Sequence, residues 1–172
     1  MVVHARLLPR LIRDPQAGSR GSLPPHPHRY DIEHAELDYA FLADFATIQD
    51  GRLTVVGASF TRMVVTEYPT FALLGVAGRI RCDEPDRNTI NVTLRITSPG
   101  VEPTTIEAVN ALDASEKTNP PYDKHRRGIV FAVQVNLPVL EEGTHTVEVD
   151  LDETDGVDRT LKFEVLRPQD EE

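Results

Sequence analysis

From Leu37 onward the chain alternates apolar and polar residues with a period of two, the signature of strands that bury one face. Tyr39, Phe41, Ala43 and Phe45 alternate with Asp38, Ala40, Leu42 and Asp44, which predicts an opening strand whose aromatic row is buried. Asp50-Gly51 is a hairpin signal, and residues 53–60 return as a second strand. Residues 71–81 are apolar on both faces, as in a central strand or one that crosses between sheets. After a turn cluster over residues 83–88, Ile90, Val92, Leu94 and Ile96 alternate cleanly with Thr89, Asn91, Thr93 and Arg95.

The second half repeats this grammar. Pro99-Gly100 turns the chain, and residues 104–112 predict another strand, with a phase slip at Ala108-Val109 that reads as a bulge. Residues 115–128 form a long polar loop containing Pro120-Pro121. Phe131, Val133, Val135 and Leu137 then make an inward row. His145, Val147, Val149 and Leu151 make the next, and Leu161, Phe163 and Val165 the last. Seven or eight short strands with glycine and proline turns, and no helical period of useful length, predict an all-β antiparallel sandwich. Roughly twenty inward side chains at ~1.5–3 kcal/mol each are enough for one core. On this reading Val133→Asp unfolds the domain and Gln134→Asp is nearly silent.

Composition sets the boundaries. A length of 172 residues suits one domain, and 40% apolar with 27% charged residues is ordinary for a soluble globular chain. Residues 1–30 hold five arginines against one acid, Asp14, a net +4 that leaves −14 for residues 31–172. They also carry five of the thirteen prolines, so residues 1–36 read as a disordered basic arm, residues 37–168 as the folded domain and residues 169–172 as an acidic tail. For the arm, a secretory signal lacks an unbroken apolar region, and Pro9 and Pro15 interrupt the amphipathic helix of a transit peptide. A start assigned too far upstream, with the natural protein beginning near Leu37, fits as well. The longest mostly apolar stretch, residues 70–77, cannot span a bilayer, and the acidic body argues against nucleic acid as partner. A cytoplasmic protein without membrane contact is expected. Fifteen arginines against three lysines point to a GC-rich bacterial genome.

The run Asp38-Tyr-Ala-Phe-Leu-Ala-Asp-Phe-Ala46, followed by Gly51-Arg-Leu-Thr-Val-Val-Gly57, resembles the opening of a family of small bacterial proteins known only as a domain of unknown function. The resemblance runs from about Leu37 to Arg167, with Tyr68-Pro69 loosely matching a Phe-Pro-like step and a closing Leu-Pro … Glu-Gly hairpin. It implies an immunoglobulin-like sandwich and no assigned reaction or ligand. This chain has Gly143-Thr144-His145 where the last hairpin of the family usually reads Gly-x-Tyr, so a backbone bond made there by a tyrosine hydroxyl would fall to a His145 ring nitrogen.

No residue set converges on catalysis. Residues 150–156 look superficially like a calcium loop, but Asp155 stands where an EF-hand needs glycine and Leu161 where it needs the bidentate acid. Six histidines show no ligand spacing, and His145 reads as a packed residue. A nucleophile elbow and a glycine-rich phosphate loop are both missing. Cys82 reads as a packed or semi-exposed thiol with Arg79 and Arg81 near in sequence. Asn91-Val-Thr93 is a sequon with little meaning outside secretion. No cofactor or metal is expected. The one basic cluster in the acidic domain lies in the long loop, where Tyr122, Lys124, Arg126 and Arg127 are the candidate partner-binding residues beside His125. They either contact an acidic partner or balance local charge, and Arg126→Glu with Arg127→Glu should leave folding intact while abolishing capture of a partner. The expected function is a non-catalytic protein-binding or structural module, docking another protein or self-associating through a sheet edge. The alternative is a small-ligand or carbohydrate-binding domain, or an enzyme whose site is assembled from distant residues, for instance Asp44 with His145.

Overall fold

A computed structural model describes residues 35–168 apart from Lys124, Glu153 and Asp155. Residues 1–34 of the predicted basic arm, the acidic tail and Lys124 lie outside the described residues, while Ala35 and Glu36, expected in the arm, open the first strand. The described chain is all-β, with no helix and ten strands: β1 (Ala35–Ala43), β2 (Phe45–Gln49), β3 (Arg52–Val56), β4 (Arg62–Val64), β5 (Thr70–Cys82), β6 (Thr89–Ser98), β7 (Thr104–Asp113), β8 (Arg127–Val139), β9 (Gly143–Leu151) and β10 (Arg159–Leu166). They form a three-stranded sheet in the order β1-β5-β8, a five-stranded sheet in the order β4-β10-β9-β6-β7, and the separate hairpin β2-β3.

Both larger sheets contribute to one buried core. The small sheet supplies Leu42, Leu74, Val76, Ile80, Ile129, Phe131 and Leu137. The large sheet supplies the rows predicted from period two: Ile90, Val92, Leu94 and Ile96 on β6, Val147, Val149 and Leu151 on β9, and Phe163 and Val165 on β10. Alternation works there because each strand meets the core at every second residue. Val133 and Val135 pack against the same core half-buried.

The expected seven or eight strands are corrected to ten, for local reasons. The opening strand does not run through to Phe45. It stops at Ala43, and Asp44 turns the chain into the β2-β3 hairpin, whose tip is Asp50 and Gly51 at φ +50° and +69°. The strand expected over residues 53–60 ends at Val56 because Gly57 is left-handed at φ +62°, a conformation glycine adopts without strain. The Asp44 carboxylate lies over Gly57 in the space a β-carbon would take, and the Asp44 amide donates to the Val56 carbonyl at 3.1 Å. The motif aspartate and Gly57 thus close the base of the hairpin. Beyond it the chain forms the three-residue β4, which pairs with β10 in parallel, so the fold is not wholly antiparallel.

Two further expectations fail. The register of β1 on β5 shifts between Leu37 and Tyr39, and this irregularity at Asp38 reverses the phase of the rest of the strand. Ala40 and Leu42 then face the core, and Tyr39, Phe41 and Ala43 face the other side, while Phe45 is exposed. The bulge expected at Ala108-Val109 is absent: β7 pairs with β6 in unbroken register from Thr104 to Asp113. As the edge strand of its sheet, β7 leaves Val109 in solvent and carries Asn110 inward, an inversion of chemistry that mimics a slip.

The inner and outer faces of the small sheet have different demands. Gly78, opposite Phe131, lies under that ring; a β-carbon there would come within 2.7 Å of it and crowd the Tyr39 carbonyl. On the outer face Ala43, Ala77 and Ala132 keep the surface low enough for Ala46, Leu53 and Val55 of the hairpin to pack on it. Gln134, expected to be a neutral surface position, donates from Nε2 to the Ala46 carbonyl at 3.1 Å and so ties β8 to the hairpin.

Candidate functional site

The three described loop residues singled out by sequence, Tyr122, Arg126 and Arg127, do not form one patch. Tyr122 is 58% exposed and heads a tight turn, with its amide bonded to the Arg126 carbonyl at 3.0 Å. Arg126 makes a two-pronged ion pair with Asp83, at 2.8 and 3.0 Å, and the hydrogen bonds and charge of Asp83 raise its pKa further above the usual arginine value. Local charge balance therefore accounts for Arg126.

Arg127 is a correction, because it is wholly buried. It is paired with Cys82 on the inward face of the small sheet. Its guanidinium donates to the Ala114, Arg87 and Glu84 carbonyls and to Cys82 Sγ, the Arg87 bond at 3.1 Å and the sulfur contact at 3.5 Å. A cation is retained inside because carbonyls from two separate loops, Glu84 and Arg87 after β5 and Ala114 after β7, solvate it. Replacing it together with Arg126 would not leave folding intact, contrary to expectation. The long loop is itself anchored by Asp113, whose carboxylate accepts from the Thr118 hydroxyl and the Ser115 amide and is lowered to about 2 by those bonds.

The outer face of the small sheet brings together residues that the loop-centred reading missed. At one end, Asp38 is clamped by Arg79 and Arg81, and Arg81 also reaches Glu36 at 3.6 Å. Burial by itself would raise the Asp38 pKa, but the hydrogen bond and charge of Arg79, with Arg81, outweigh it and hold the carboxyl below its usual range. Tyr39 stacks on Phe41 with ring centres 6.0 Å apart, the Arg79 guanidinium lies 5.3 Å from the Tyr39 ring centre, and the side chains of Arg79 and Tyr122 both border Gly128. The quoted motif residues Asp38, Tyr39 and Phe41 are what carry this end, and that was the available signal.

At the other end the face is apolar and open. β1 pairs with β5 only as far as Ala43 opposite Gly75, so among the described residues, positions 70–74 of β5 pair with β8 alone. Phe71 is 74% exposed there and Leu73 49%, with Pro138 and Asn136 opposite them on β8. Phe45, Ile48 and Val56 of the hairpin, whose Ala46, Leu53 and Val55 pack on this sheet, are exposed as well, and so is Leu140 just past β8. Sequence reading took residues 71–81 for a strand apolar on both faces; it is the central strand of its sheet, but its first residues lack a cover.

The other candidates fall apart as chemistry. Asp150 pairs with Arg95 at 2.9 Å, and Asp152 accepts from Asn91, the sequon asparagine. Among the described residues no group of three His, Cys, Asp or Glu side chains is placed to hold a metal. Asp44 lies against Gly57, whereas His145 is buried in the core, stacked on Phe163 with ring centres 5.1 Å apart. His145 Nδ1 lies 3.3 Å from the Gly143 carbonyl, and Nε2 has no partner among the described residues.

That arrangement has a pH consequence. Burial lowers the His145 pKa from 6.5, so the unfolded chain takes up a proton that the folded one resists. Stability should therefore fall as pH drops through about 6.5, and again from about 4 towards 2 as the depressed Asp113 and Asp38 carboxylates protonate. Thermal unfolding of His145→Leu should lose the upper step and keep the lower; an unchanged upper step would assign it elsewhere.

A search of curated proteins finds no match to the chain. A family model covers residues 38–164, which include β1 from the clamped Asp38 onward, both sheets, the hairpin and nearly all of β10. The chain belongs to the family of unknown function DUF6941.

Proposed function

We propose that this is a non-catalytic binding module, an immunoglobulin-like β-sandwich that uses the outer face of its small sheet to dock a protein. The observation that carries the reading is the exposure of Phe71 and Leu73 as neighbours on the outer face of β5, beside a length of that strand that pairs with β8 alone among the described residues. Exposed apolar side chains concentrated on one rigid face mark contact surfaces, and Phe at the centre of such a face has the area to anchor one. The charged groups on that face are tied to one another as Asp38 with Arg79 and Arg81, and Arg126 with Asp83, which suits a fixed rim better than proton transfer. A cytoplasmic setting in a bacterium accords with the lone free thiol of Cys82 and the arginine-rich composition. The alternative of a small-ligand or carbohydrate site draws on the Tyr39–Phe41 stack and exposed Tyr122.

The test is affinity capture with the full chain as bait, wild type against Phe71→Glu with Leu73→Glu, from the cells that make it. Both side chains are exposed, so the variant should keep its circular dichroism and melting temperature while losing the proteins wild type retains. Identical capture by a folded variant would contradict the reading. Loss of binding by Tyr39→Ala alone would favour the ligand alternative.

A further inference from the structure

We propose that the occupant of the open face is a second copy of this chain, with residues 70–74 of β5 pairing antiparallel to the same residues of the partner about a two-fold axis at Ala72. This rests on the reading of that face as a docking surface and names its partner. Four observations favour it. First, the edge is free among the described residues: β1 ends opposite Gly75, and residues 70–74 have no strand partner there on the side away from β8. Second, the segment is self-complementary. An antiparallel pairing centred on Ala72 sets Phe71 of each copy opposite Leu73 of the other on the outer face, where both are exposed, and Thr70 opposite Leu74 on the inner one.

Third, charge leaves few other places for two such bodies to touch. The chain carries −10, yet residues 68–78 contain no charged side chain, and neither do Gln134, Asn136 and Pro138, which flank the patch on β8. Two like-charged bodies meet most readily over their uncharged surface. Fourth, the other edges of the two larger sheets are guarded. β7 carries Glu107 and Asp113 at exposed positions, β4 has three residues, and the outer edge of β1 carries Glu36 and Asp38. β8 also has an open edge, but it offers Gln134 and Asn136 where β5 offers Phe71 and Leu73, and Pro138 has no amide hydrogen to donate. Five residues of pairing with one apolar cluster is a small contact, so the dimer should form in the micromolar range.

Sedimentation of the full chain across a dilution series should show a monomer giving way to a dimer at roughly 10–100 μM. Salt should favour the dimer, because screening relieves repulsion between the acidic bodies; a partner held by opposite charge would show the reverse. Leu73→Glu should remain monomeric throughout with an unchanged melting temperature. Register is read by mixing Phe71→Cys protein with Leu73→Cys protein under mild oxidation. The mixture should form a disulfide-linked dimer, and neither protein should do so alone, since 71 faces 73 across the axis and identical positions lie too far apart to bridge. A wild type that stays monomeric, a Leu73→Glu protein that still dimerises, or single variants that cross-link as readily as the mixture would each overturn the proposal. A monomeric wild type whose captured proteins are lost with Phe71→Glu would leave the docking reading standing and remove only the second copy.

Discussion

Arg127→Leu should cost the protein about 2–5 kcal/mol, because it removes charge-assisted hydrogen bonds to carbonyls that lie in or against the core. The substitution keeps an apolar stem of similar length but strands the carbonyls of Ala114 and Arg87 and takes the guanidinium from that of Glu84, which keeps the Arg87 amide at 3.3 Å. A buried acceptor without a donor costs ~1–3 kcal/mol, and the Ala114 bond lies in the interior. The loss also frees two pieces of chain from one another: the turn between β5 and β6, and the start of the long loop after β7. Arg126→Leu, one residue away, should cost less than about 1 kcal/mol, because its pairing with Asp83 is solvent-exposed. Urea unfolding of the two variants side by side separates them. Equal losses would mean that Arg127 is not the buried member of the pair.

Phe131→Asp should abolish folding. Phe131 is fully buried between the two sheets, and its ring covers Gly78 of the neighbouring strand. Truncating a buried Phe costs ~3–5 kcal/mol through lost transfer energy and the cavity left behind. The carboxylate adds a charge with no polar partner among Leu74, Val76 and Ile129, and a penalty of several kcal/mol. Together these match or exceed the ~5–15 kcal/mol that holds an ordinary domain. Far-ultraviolet circular dichroism of the purified variant should show a disordered chain, and a cooperative melt close to that of wild type would refute the placement of Phe131.

What could be read from sequence depended on how each strand meets its surroundings. β6, β9 and β10 face a core on one side and water on the other, so apolar residues at every second position identified both the strands and their inward rows. β1 and β5 face the core on one side and the β2-β3 hairpin on the other, so both faces are apolar over part of their length. Period two then cannot say which row is inside, and the irregularity at Asp38 inverted the assignment for Tyr39 and Phe41. Arg127 was illegible for a different reason. Within the run Lys124, His125, Arg126, Arg127 it looks like part of a solvated cluster, and its burial is set by carbonyls between 13 and 43 residues away in sequence. The exposed Phe71 and Leu73 were hidden by their own hydrophobicity, since an apolar strand reads as covered until the end of its neighbour is known.

The account turns on which face of β5 and β8 is interior and which is presented to a partner, and one denaturation experiment reads this directly. Phe71→Asp and Phe131→Asp make the same chemical change on the two neighbouring strands of the small sheet, on its outer and inner faces. Measured together in urea, Phe71→Asp should unfold within about 1 kcal/mol of wild type, and Phe131→Asp should show no folded baseline. Two variants destabilised alike, or Phe71→Asp as the unfolded one, would place the presented face inside the protein and contradict the account.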